Sequence, residues 1–513
     1  MSQSGIYILI TMLMYLGGML VIGFTYSRKG SAKSSDDFYL GNRKLGPVVT
    51  AMSAEASDMS SYLLMGLPGL AYLCGLAEVG WTAIGLAVGT YLNFLFVAKR
   101  LRRYSERIGA ITIPDYFSKR FGDKRAVLSC ISALVIIVFF VPYTASGFKA
   151  VGTLFSSLFG WDYHLAMVIG AVVIVTYTVL GGFMAVSMTD LLQSIFMTIA
   201  LIVIVFFGIR TAGGWTQVAE NAKALPGYLN MTQGYDAATN SAAQFNVFSI
   251  CTTLAWGLGY FGMPHILLRF MAIRDEREIK YSRRIACIWV VISMFIAVLI
   301  GVIGVSVSKA GLIPTLPTET ESEETIIIQL AKLMSENGVL LAIAAGVILS
   351  GILAATMSTA DSQLLAASSS VSKDLLEDFF GVKLSQKASM LIARLTVVAI
   401  AVVGIVLAWD PNSSVFRVVS FAWAGFGAAF GPAMLLSLFW RRTNRWGALA
   451  GMISGGVMVF VWKFAIAPLG GIWAIYELLP AFIVSAIAIV AVSLATPKPE
   501  DELCQTFEAV SKS

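Results

Sequence analysis

Residues 51–62 of this chain read AMSAEASDMSSY and lie inside an apolar stretch that runs from Gly46 to Met65. Asp58 stands near the middle of that stretch. A carboxylate at bilayer depth costs about 3 kcal/mol on insertion scales, so such residues usually face a cavity or an ion path. The small residues around Asp58 leave backbone carbonyls accessible, as an interrupted membrane helix needs in order to hold a cation. The alternative is a protonated or paired structural aspartate.

The composition predicts a polytopic membrane protein. Hydrophobic residues make up 57% of the 513 residues and charged residues only 13%, whereas soluble domains carry about 25% charged residues. Apolar runs long enough to cross about 30 Å of hydrocarbon recur along almost the whole chain. The first run has no basic segment before it and no cleavage site after it, so we expect a retained span and no signal peptide.

The remaining composition excludes several other classes of protein. The five cysteines are scattered and there are only two histidines, so we predict no disulfide framework, zinc site or histidine metal centre. The sequence contains no recognisable nucleophile–base pair, so we do not expect an enzyme. The net charge of +6 gives no sign of a nucleic-acid partner, because basic residues orient the chain in the membrane. We expect the lipid bilayer and a small-molecule substrate as partners, and no obligate protein partner.

We predict thirteen transmembrane helices. They cover residues 5–27, 45–76, 79–98, 127–158, 162–183, 187–209, 246–272, 284–308, 338–372, 390–409, 414–440, 446–467 and 474–496. Basic loops at 28–44, 99–125, 274–284 and 441–445 alternate with loops that are acidic or nearly neutral, such as 319–324. The positive-inside rule then places the N-terminus outside and the polar tail 497–513 in the cytoplasm.

Two of the predicted spans are interrupted. The second span is broken at residues 57–61, and the seventh contains WGLGYFGMPH at 256–265. Irregular backbone at this depth is tolerated where it lines a cavity or is buried in protein. Interruptions at corresponding positions of two repeats indicate a binding site between them at the midplane; the alternative is two unrelated kinks. We therefore predict an all-α fold with two five-helix inverted repeats (45–209 and 246–440), one extra helix before them (5–27) and two after them (446–496).

The ninth predicted span supplies hydroxyl groups for a cation site. Ser358, Thr359 and Ser362 share one sector of the helix, with Ala355 one turn earlier. Hydroxyl oxygens and carbonyls freed at a helix break suit a hard cation. A chemically coherent sodium site combines the carbonyls of Ala56, Met59 and Ala355 with the hydroxyls of Ser358 and Thr359. In the alternative interpretation these hydroxyls bond back to the carbonyl four residues earlier.

Three carboxylates belong to the same region, namely Asp58, Asp190 and Asp361. If they converge, they cannot all be ionised without a cation or shared protons. With Ser362 they could form a second cation or proton site. For Asp190, near a membrane face, a solvated helix N-cap is an equally good interpretation. Glu55, one turn before Asp58, receives no role.

Aromatic residues suggest a pocket for an organic substrate. Trp256 and Tyr260 are four residues apart and so share one face of a helix in the seventh span, and Tyr143 stands beside Pro142 in the fourth. Aromatic faces suit a small apolar ring, and a secondary ammonium group can rest on them. An aromatic stripe alone is more often core or interfacial belt, but Pro264 at the helix break strengthens the prediction.

Several motifs together resemble the sodium:solute symporter family. They are FYLGNRKLGP at 38–47, ASDMS at 56–60, GGFMAV at 181–186 followed by Asp190 and Gln193, WGLGYFG at 256–262 with Pro264, MST at 357–359 and AWAGFGAAFGP at 422–432. These motifs occur in the order typical of the family and extend over nearly the whole chain.

The resemblance implies a leucine-transporter-like fold and alternating access driven by a sodium gradient, and it is greatest to members that carry L-proline. It implies a co-transported sodium ion, and the site residues implied for it are Ala56, Met59, Ala355, Ser358 and Thr359, with Asp58 important for sodium. For the proline pocket it implies Trp256, Tyr260, Pro264 and, by its placement, Tyr143. Ser60-Ser61-Tyr62 stands where the family has Ser-Gly-Trp, so we assign Ser60 and Ser61 to the pocket floor. Asp361 stands where relatives often carry a hydroxyl residue.

We therefore expect a transporter of the cell membrane that couples inward sodium flow to L-proline uptake. One alternative is a sodium-coupled symporter of another small organic solute, such as a sugar, pantothenate or another organic acid. An alternative from a different class is a sodium channel, in which the broken helices line an open pore. A membrane sensor is disfavoured, because no soluble output domain follows the last predicted span.

Overall fold

The computed structural model of the protein describes residues 2–29, 39–316 and 322–512. All thirteen predicted spans coincide with helices in this part of the chain, some of them in two pieces. Ten of the described helices are long and apolar enough to cross a membrane. The protein is therefore an all-α polytopic membrane protein, and the count of thirteen crossings stays a prediction. Residues 30–38 of the first basic loop, with Phe38 of the first motif, and residues 319–321 of the acidic loop lie outside the described residues.

The described helices are separated midway by one β-hairpin. Helices α1 to α10 are Gln3–Lys29, Pro47–Ser61, Leu67–Cys74, Leu76–Leu92, Lys99–Arg107, Ile113–Arg120, Val127–Phe159, Tyr163–Gly181, Phe183–Thr211 and Trp215–Lys223. Strands β1 (Gln233–Asp236) and β2 (Ser241–Gln244) pair antiparallel. Helices α11 to α20 are Val247–Leu254, Pro264–Ala272, Ile279–Lys309, Ile326–Ser335, Val339–Ser369, Gln386–Leu407, Val415–Phe439, Arg445–Val461, Leu478–Ala495 and Asp501–Lys512. The hairpin and the short helices α5, α6, α10, α14 and α20 were not predicted.

The first predicted interruption is present at the end of α2. Ser60 has φ 49° and ψ −167°, which is far from helical geometry. The five residues Tyr62–Gly66 then form a π-helical turn before α3 begins. Such a backbone costs about 1–3 kcal/mol in a residue other than glycine and persists only where its surroundings enforce it. Ser60 is buried, and its Oγ accepts a hydrogen bond from the Tyr62 N–H at 3.1 Å.

The second predicted interruption separates α11 from α12. After Leu254 the chain continues as a tighter 3-10 helix over Ala255–Phe261, and α12 begins at Pro264. Proline suits a first helical position, since its missing N–H would be unpaired there in any case. Gly257 permits this segment to approach α4 closely, because a Cβ at Gly257 would overlap the carbonyl group of Gly85.

Helix α15 lies at the centre of the molecule. It packs against α1, α2, α7 and α9, and every residue from Ile348 to Ser369 is buried. The hydroxyl groups of this helix therefore face protein and not lipid. Because α2 is one of its neighbours, the two stretches that the sequence singled out lie side by side.

The basic loops meet at one end of the molecule. The Arg43 guanidinium donates hydrogen bonds to the carbonyls of Met271 (2.6 Å) and Ala110 (2.7 Å). Arg102 donates to the carbonyl of Ile273 at 2.6 Å. These contacts join the loops that charge alternation predicts on one side of the membrane. The β-hairpin lies at the other end of α4. The N–H of Leu76, the first residue of α4, donates a hydrogen bond to the carbonyl of Tyr228, which precedes β1 in the chain.

Gly257→Ala should destabilise the fold, because the added methyl group forces the 3-10 segment away from α4. Overpacking of this kind typically costs about 1–3 kcal/mol, so we expect a lower midpoint of thermal unfolding in detergent. Gly17→Ala is the matched control, since a Cβ there meets no atom within 4 Å. Equal unfolding midpoints for the two variants would contradict the close approach.

Candidate cation and substrate site

Helices α2 and α15 meet at the predicted sodium ligands. Ser358 Oγ donates a hydrogen bond to the Ala56 carbonyl at 2.8 Å and lies 3.2 Å from the Ala355 carbonyl. Thr359 Oγ1 lies 3.1 Å from the same Ala355 carbonyl. The structure therefore brings together four of the five predicted ligands, from segments about 300 residues apart.

The fifth predicted ligand, the Met59 carbonyl, accepts the N–H of Tyr62 at the helix break. The alternative interpretation, a bond back to the carbonyl four residues earlier, describes Thr359, whereas Ser358 also reaches across to α2. All donor atoms of this set are uncharged oxygens. Backbone carbonyls at an unwound helix, together with hydroxyls, are a suitable ligand set for a monovalent cation such as Na⁺.

Asp58 connects three spans beside this set. Its Oδ2 accepts a hydrogen bond from the Tyr260 hydroxyl at 2.6 Å, and its backbone carbonyl accepts one from the Tyr143 hydroxyl at 3.0 Å. Its Oδ1 has no hydrogen-bond partner among the described residues. The Asp58 side chain is only 5% exposed, so this carboxylate is held inside the protein at the break of α2.

Asp190 and Asp361 belong to a different group, centred on Arg269. Arg269 Nη2 lies 3.1 Å from Asp190 Oδ2 and 2.6 Å from Ser362 Oγ. Ser362 Oγ in turn lies 3.4 Å from Asp361 Oδ1. These four side chains are almost completely buried. The three carboxylates of the sequence analysis therefore divide into two groups, with Asp58 bonded to Tyr260 and the other two gathered near Arg269.

The interpretation of Asp190 as a solvated helix N-cap is wrong. The N-cap of α9 is Gly182, and Asp190 lies two turns further along with no exposed surface. Ser53 Oγ donates to Asp190 Oδ2 at 2.6 Å and accepts from Arg269 Nε at 3.0 Å. Burial between α2, α12 and α9 makes Asp190 a partner of Arg269 instead of a solvated cap.

Sequence reasoning missed Arg269. It stands in the apolar helix α12 and is 1% exposed, so the rule that singled out Asp58, a charged residue at membrane depth, would have found it. Its remaining nitrogen donates to the His265 carbonyl at 2.8 Å. With both carboxylates ionised, the Arg269 group has one more negative charge than positive charges.

An aromatic layer surrounds Trp256. Its ring lies 5.6 Å from that of Tyr62, 5.5 Å from that of Phe416 and 5.0 Å from that of Tyr476, measured between centroids. Trp256, Phe416 and Tyr476 line a cavity of about 620 Å³, and among the described residues lining it Glu78 is the charged one. Tyr62, the buried ring of this layer, is two residues from Ser60. The layer therefore lies between the cavity and the break of α2.

Trp256 and Tyr260 do not share one face, which corrects the sequence prediction. The segment is a 3-10 helix with three residues per turn, so residues four apart are separated by about 120° instead of about 40°. Trp256 turns to the aromatic layer, whereas the Tyr260 hydroxyl reaches Asp58.

The predicted pocket floor shares a wall with the cation ligands. Ser60, Ser61 and Tyr143 line a narrow crevice together with Thr359. Gln363, which also lines it, accepts a hydrogen bond from Thr144 at 3.1 Å. Pro264 is buried at the start of α12 and is not among the described residues that line the crevice or the cavity.

Glu324 holds the helix that carries Phe416. Its carboxylate accepts hydrogen bonds from the N–H groups of Val415 and Phe416 and from the Ser414 hydroxyl, at 2.9 to 3.2 Å. Burial raises the pKa of Glu324, and the Lys149 ammonium 3.9 Å away opposes that rise. The first turn of α17 is thereby fixed next to the aromatic layer.

Comparison with known proteins gives the family. The model of the sodium:solute symporter family matches residues 38–455. The osmoregulated proline transporter OpuE of Bacillus subtilis (strain 168) is 42% identical, over 99% of this chain and 98% of its own length. The high-affinity proline transporter PutP of the same strain is 44% identical, over 95% and 98%. A sodium/proline symporter of Staphylococcus aureus (strain USA300) is 40% identical, over 94% and 91%. The chain belongs to the sodium:solute symporter family.

Two solved structures show the fold. A Na⁺-coupled sialic acid symporter, in a substrate-bound outward-open state, superposes with a TM-score of 0.76 at 18% identity and covers 96% of this chain and 99% of its own. MHP1, a transporter of the nucleobase-cation-symport-1 family, superposes with a TM-score of 0.54 at 15% identity, over 92% and 98%. The predicted leucine-transporter-like fold class is confirmed. The exact boundaries of the two repeats stay a prediction.

Arg269→Gln should destabilise the protein strongly, since it leaves the buried Asp190 without its counter-charge. Removing one partner of a buried ion pair costs about 3–5 kcal/mol. We expect a clear fall in the midpoint of thermal unfolding in detergent, and a partial recovery when Asp190→Asn is added. A wild-type midpoint for Arg269→Gln alone would mean that the pair does not stabilise the fold.

Proposed function

We propose that this protein is a secondary active transporter that couples inward sodium flow to the uptake of L-proline by alternating access. The contact between Ser358 Oγ and the Ala56 carbonyl at 2.8 Å carries the proposal, because it joins a broken helix to a second helix through the oxygens that a sodium ion uses. Membership of the sodium:solute symporter family and full-length relatives named as proline transporters support it.

Sodium binding acts on the position of α2 relative to α15. The ligands are the carbonyls of Ala56, Met59 and Ala355 and the hydroxyls of Ser358 and Thr359, so the site is complete only when both helices are in contact. A ligand shifts a conformational equilibrium by its difference in affinity for the two states. Sodium therefore favours the state in which α2 and α15 touch. By linkage, sodium and proline raise each other's affinity by the same factor.

Proline binding uses the region next to the sodium ligands. Ser61 is fully buried, and its hydroxyl has no hydrogen-bond partner among the described residues, so it is available to a polar group of the substrate. Ser60, Ser61 and Tyr143 line the crevice that Thr359 also lines. Trp256 offers an aromatic face for the pyrrolidine ring and its ammonium group. Tyr260 holds Asp58 in place, and Pro264 sets the start of α12.

We assign a second monovalent cation or proton to the group around Asp190, Asp361 and Ser362. Two carboxylates face one guanidinium there, and buried charge that is not compensated is costly. Asp190 Oδ1 and Asp361 Oδ2 have no hydrogen-bond partners among the described residues. Asp58 acts from its own position at the break, through Tyr260 and Tyr143.

The protein is proposed to lie in the cell membrane with its N-terminus outside and its C-terminus in the cytoplasm. The basic loops gathered at one end of the molecule favour that end as the cytoplasmic one. The cavity lined by Glu78 and Trp256 then opens towards the outside. Sodium-coupled transport of another small organic solute, such as a sugar, pantothenate or another organic acid, is the second candidate function, and the full-length relatives named as proline transporters favour proline over it.

Ser358→Ala and Thr359→Ala should each raise the sodium concentration that half-saturates proline uptake about ten-fold or more. A hydrogen-bonding group that contacts a charge contributes about 1.5–3 kcal/mol, and 1.4 kcal/mol is a factor of ten. The measurement is labelled proline uptake into proteoliposomes at varied sodium. Ser350→Ala is the matched control, since this buried hydroxyl of α15 bonds to its own helix at Gly346. Unchanged sodium dependence in both variants would refute the sodium site.

A competition assay decides between the two candidate substrates. Uptake of labelled L-proline should require a sodium gradient, saturate, and be inhibited by unlabelled proline more strongly than by sugars or pantothenate. Trp256→Ala should raise the half-saturating proline concentration, because the aromatic face for the ring is removed. Stronger inhibition by another solute would favour the second candidate, and non-saturating sodium flux would favour a channel.

A further inference from the structure

Tyr476 is a ring of the aromatic layer that the proposed function does not use. It lies in the loop that joins α18 to α19, outside both predicted repeats. Its ring stacks on that of Trp256, with centroids 5.0 Å apart and an angle of 20° between the planes. Its hydroxyl donates a hydrogen bond to the Ser420 carbonyl of α17 at 2.7 Å. This one side chain therefore joins the 3-10 segment of the second break to α17.

The loop that carries Tyr476 forms part of the wall of the outer cavity. Five of its residues line the cavity, namely Gly471, Ile472, Ala474, Ile475 and Tyr476. Residues 471–474 are exposed, whereas Tyr476 is half-buried where the loop meets Trp256. The Tyr476 ring therefore stands at the boundary between an open volume of about 620 Å³ and the buried layer.

The backbone on both sides of Tyr476 is anchored to the residues that follow α18. Trp462 Nε1 donates a hydrogen bond to the Ile475 carbonyl at 3.2 Å, and Lys463 Nζ lies 3.4 Å from Glu477 Oε1. Glu477 is buried and directly precedes α19. Because these contacts set the backbone position, the stack on the 3-10 segment opens by rotation of the Tyr476 side chain or by movement of that segment.

We propose that Tyr476 is an outer gate residue, whose ring and hydroxyl hold the 3-10 segment against α17 and close the route from the outer cavity to the proline pocket. The inference rests on the proposed function, which places the pocket beside Trp256 and the break of α2. Since the aromatic layer lies between the cavity and that break, a solute from the cavity has to pass it. Opening the stack and the bond to Ser420 is therefore a step in proline entry and in its return to the outside. Gates of this kind commonly limit the rate at which a ligand is exchanged.

The test measures the rates at which labelled L-proline binds to and leaves the purified protein in detergent, at saturating sodium. Tyr476→Ala should accelerate both rates about five-fold or more, because an aromatic pair and a hydrogen bond that close the gate are lost. The dissociation constant, which is the ratio of the two rates, should keep its wild-type value, since a gate slows entry and release equally.

Trp473→Ala is the matched control and should leave both rates unchanged. This ring belongs to the same loop and contacts Trp462, but it is not among the described residues that line the cavity. An equal acceleration in Trp473→Ala would show a general loosening of the loop and would overturn the inference.

Unchanged rates in Tyr476→Ala would overturn the inference while leaving proline symport intact. Faster release with a dissociation constant raised by the same factor would also overturn it, because that pattern marks a residue that contacts the bound substrate. A wild-type protein that binds no proline in the presence of sodium would instead refute the proposed function itself.

If Tyr476→Ala does not fold, Tyr476→Phe takes its place. This variant keeps the ring on Trp256 and loses the bond to the Ser420 carbonyl. Both rates should then rise about three-fold, as expected for the loss of one hydrogen bond between uncharged groups. Wild-type rates in this variant would equally contradict the gate.

Discussion

The hydrogen bond from Ser358 to the Ala56 carbonyl is the contact on which the arrangement depends. It exists because α2 stops being helical at Ser60, which leaves carbonyl groups of α2 available to a neighbouring helix. In a hydrocarbon environment a freed backbone group must find a partner inside the protein. Here the partner is a hydroxyl of α15, and the same atoms belong to the ligand set that we propose for sodium. In that proposal, the interruption that makes α2 unstable alone also creates the cation site.

The buried charges follow the same logic. Arg269 satisfies Asp190 and Ser362 at once, and Tyr260 satisfies one oxygen of Asp58. With their carboxyl groups ionised, both places carry a negative charge in excess, which a bound cation would compensate. A difference in affinity for that cation between two states of the protein is what the proposed coupling to an ion gradient requires.

The aromatic layer links these polar groups to the outer cavity. Trp256 lies in the 3-10 segment of the second helix break, and Tyr62 comes just after the first break at Ser60. Phe416 is held at the start of α17 by Glu324. The ring of Tyr62 and the proposed cation ligands Ala56 and Met59 belong to the same piece of chain, residues 56–62. In the proposed mechanism, a shift of this piece therefore moves the aromatic layer and the cation ligands together.

The amino-acid sequence alone determined the membrane class, the positions of the long helices and both interruptions, because apolar runs, glycines, prolines and a lone carboxylate act locally. It also indicated Ser358 and Thr359. Their partner on α2 is the ASDMS motif at 56–60, which its composition makes recognisable. The pairing of Arg269 with Asp190, the separation of Asp58 from both, and the 3-10 geometry that turns Tyr260 towards Asp58 were decided by the tertiary structure. Those contacts join residues 79 to 202 positions apart, and no local pattern in a chain specifies which distant side chain a buried charge will meet.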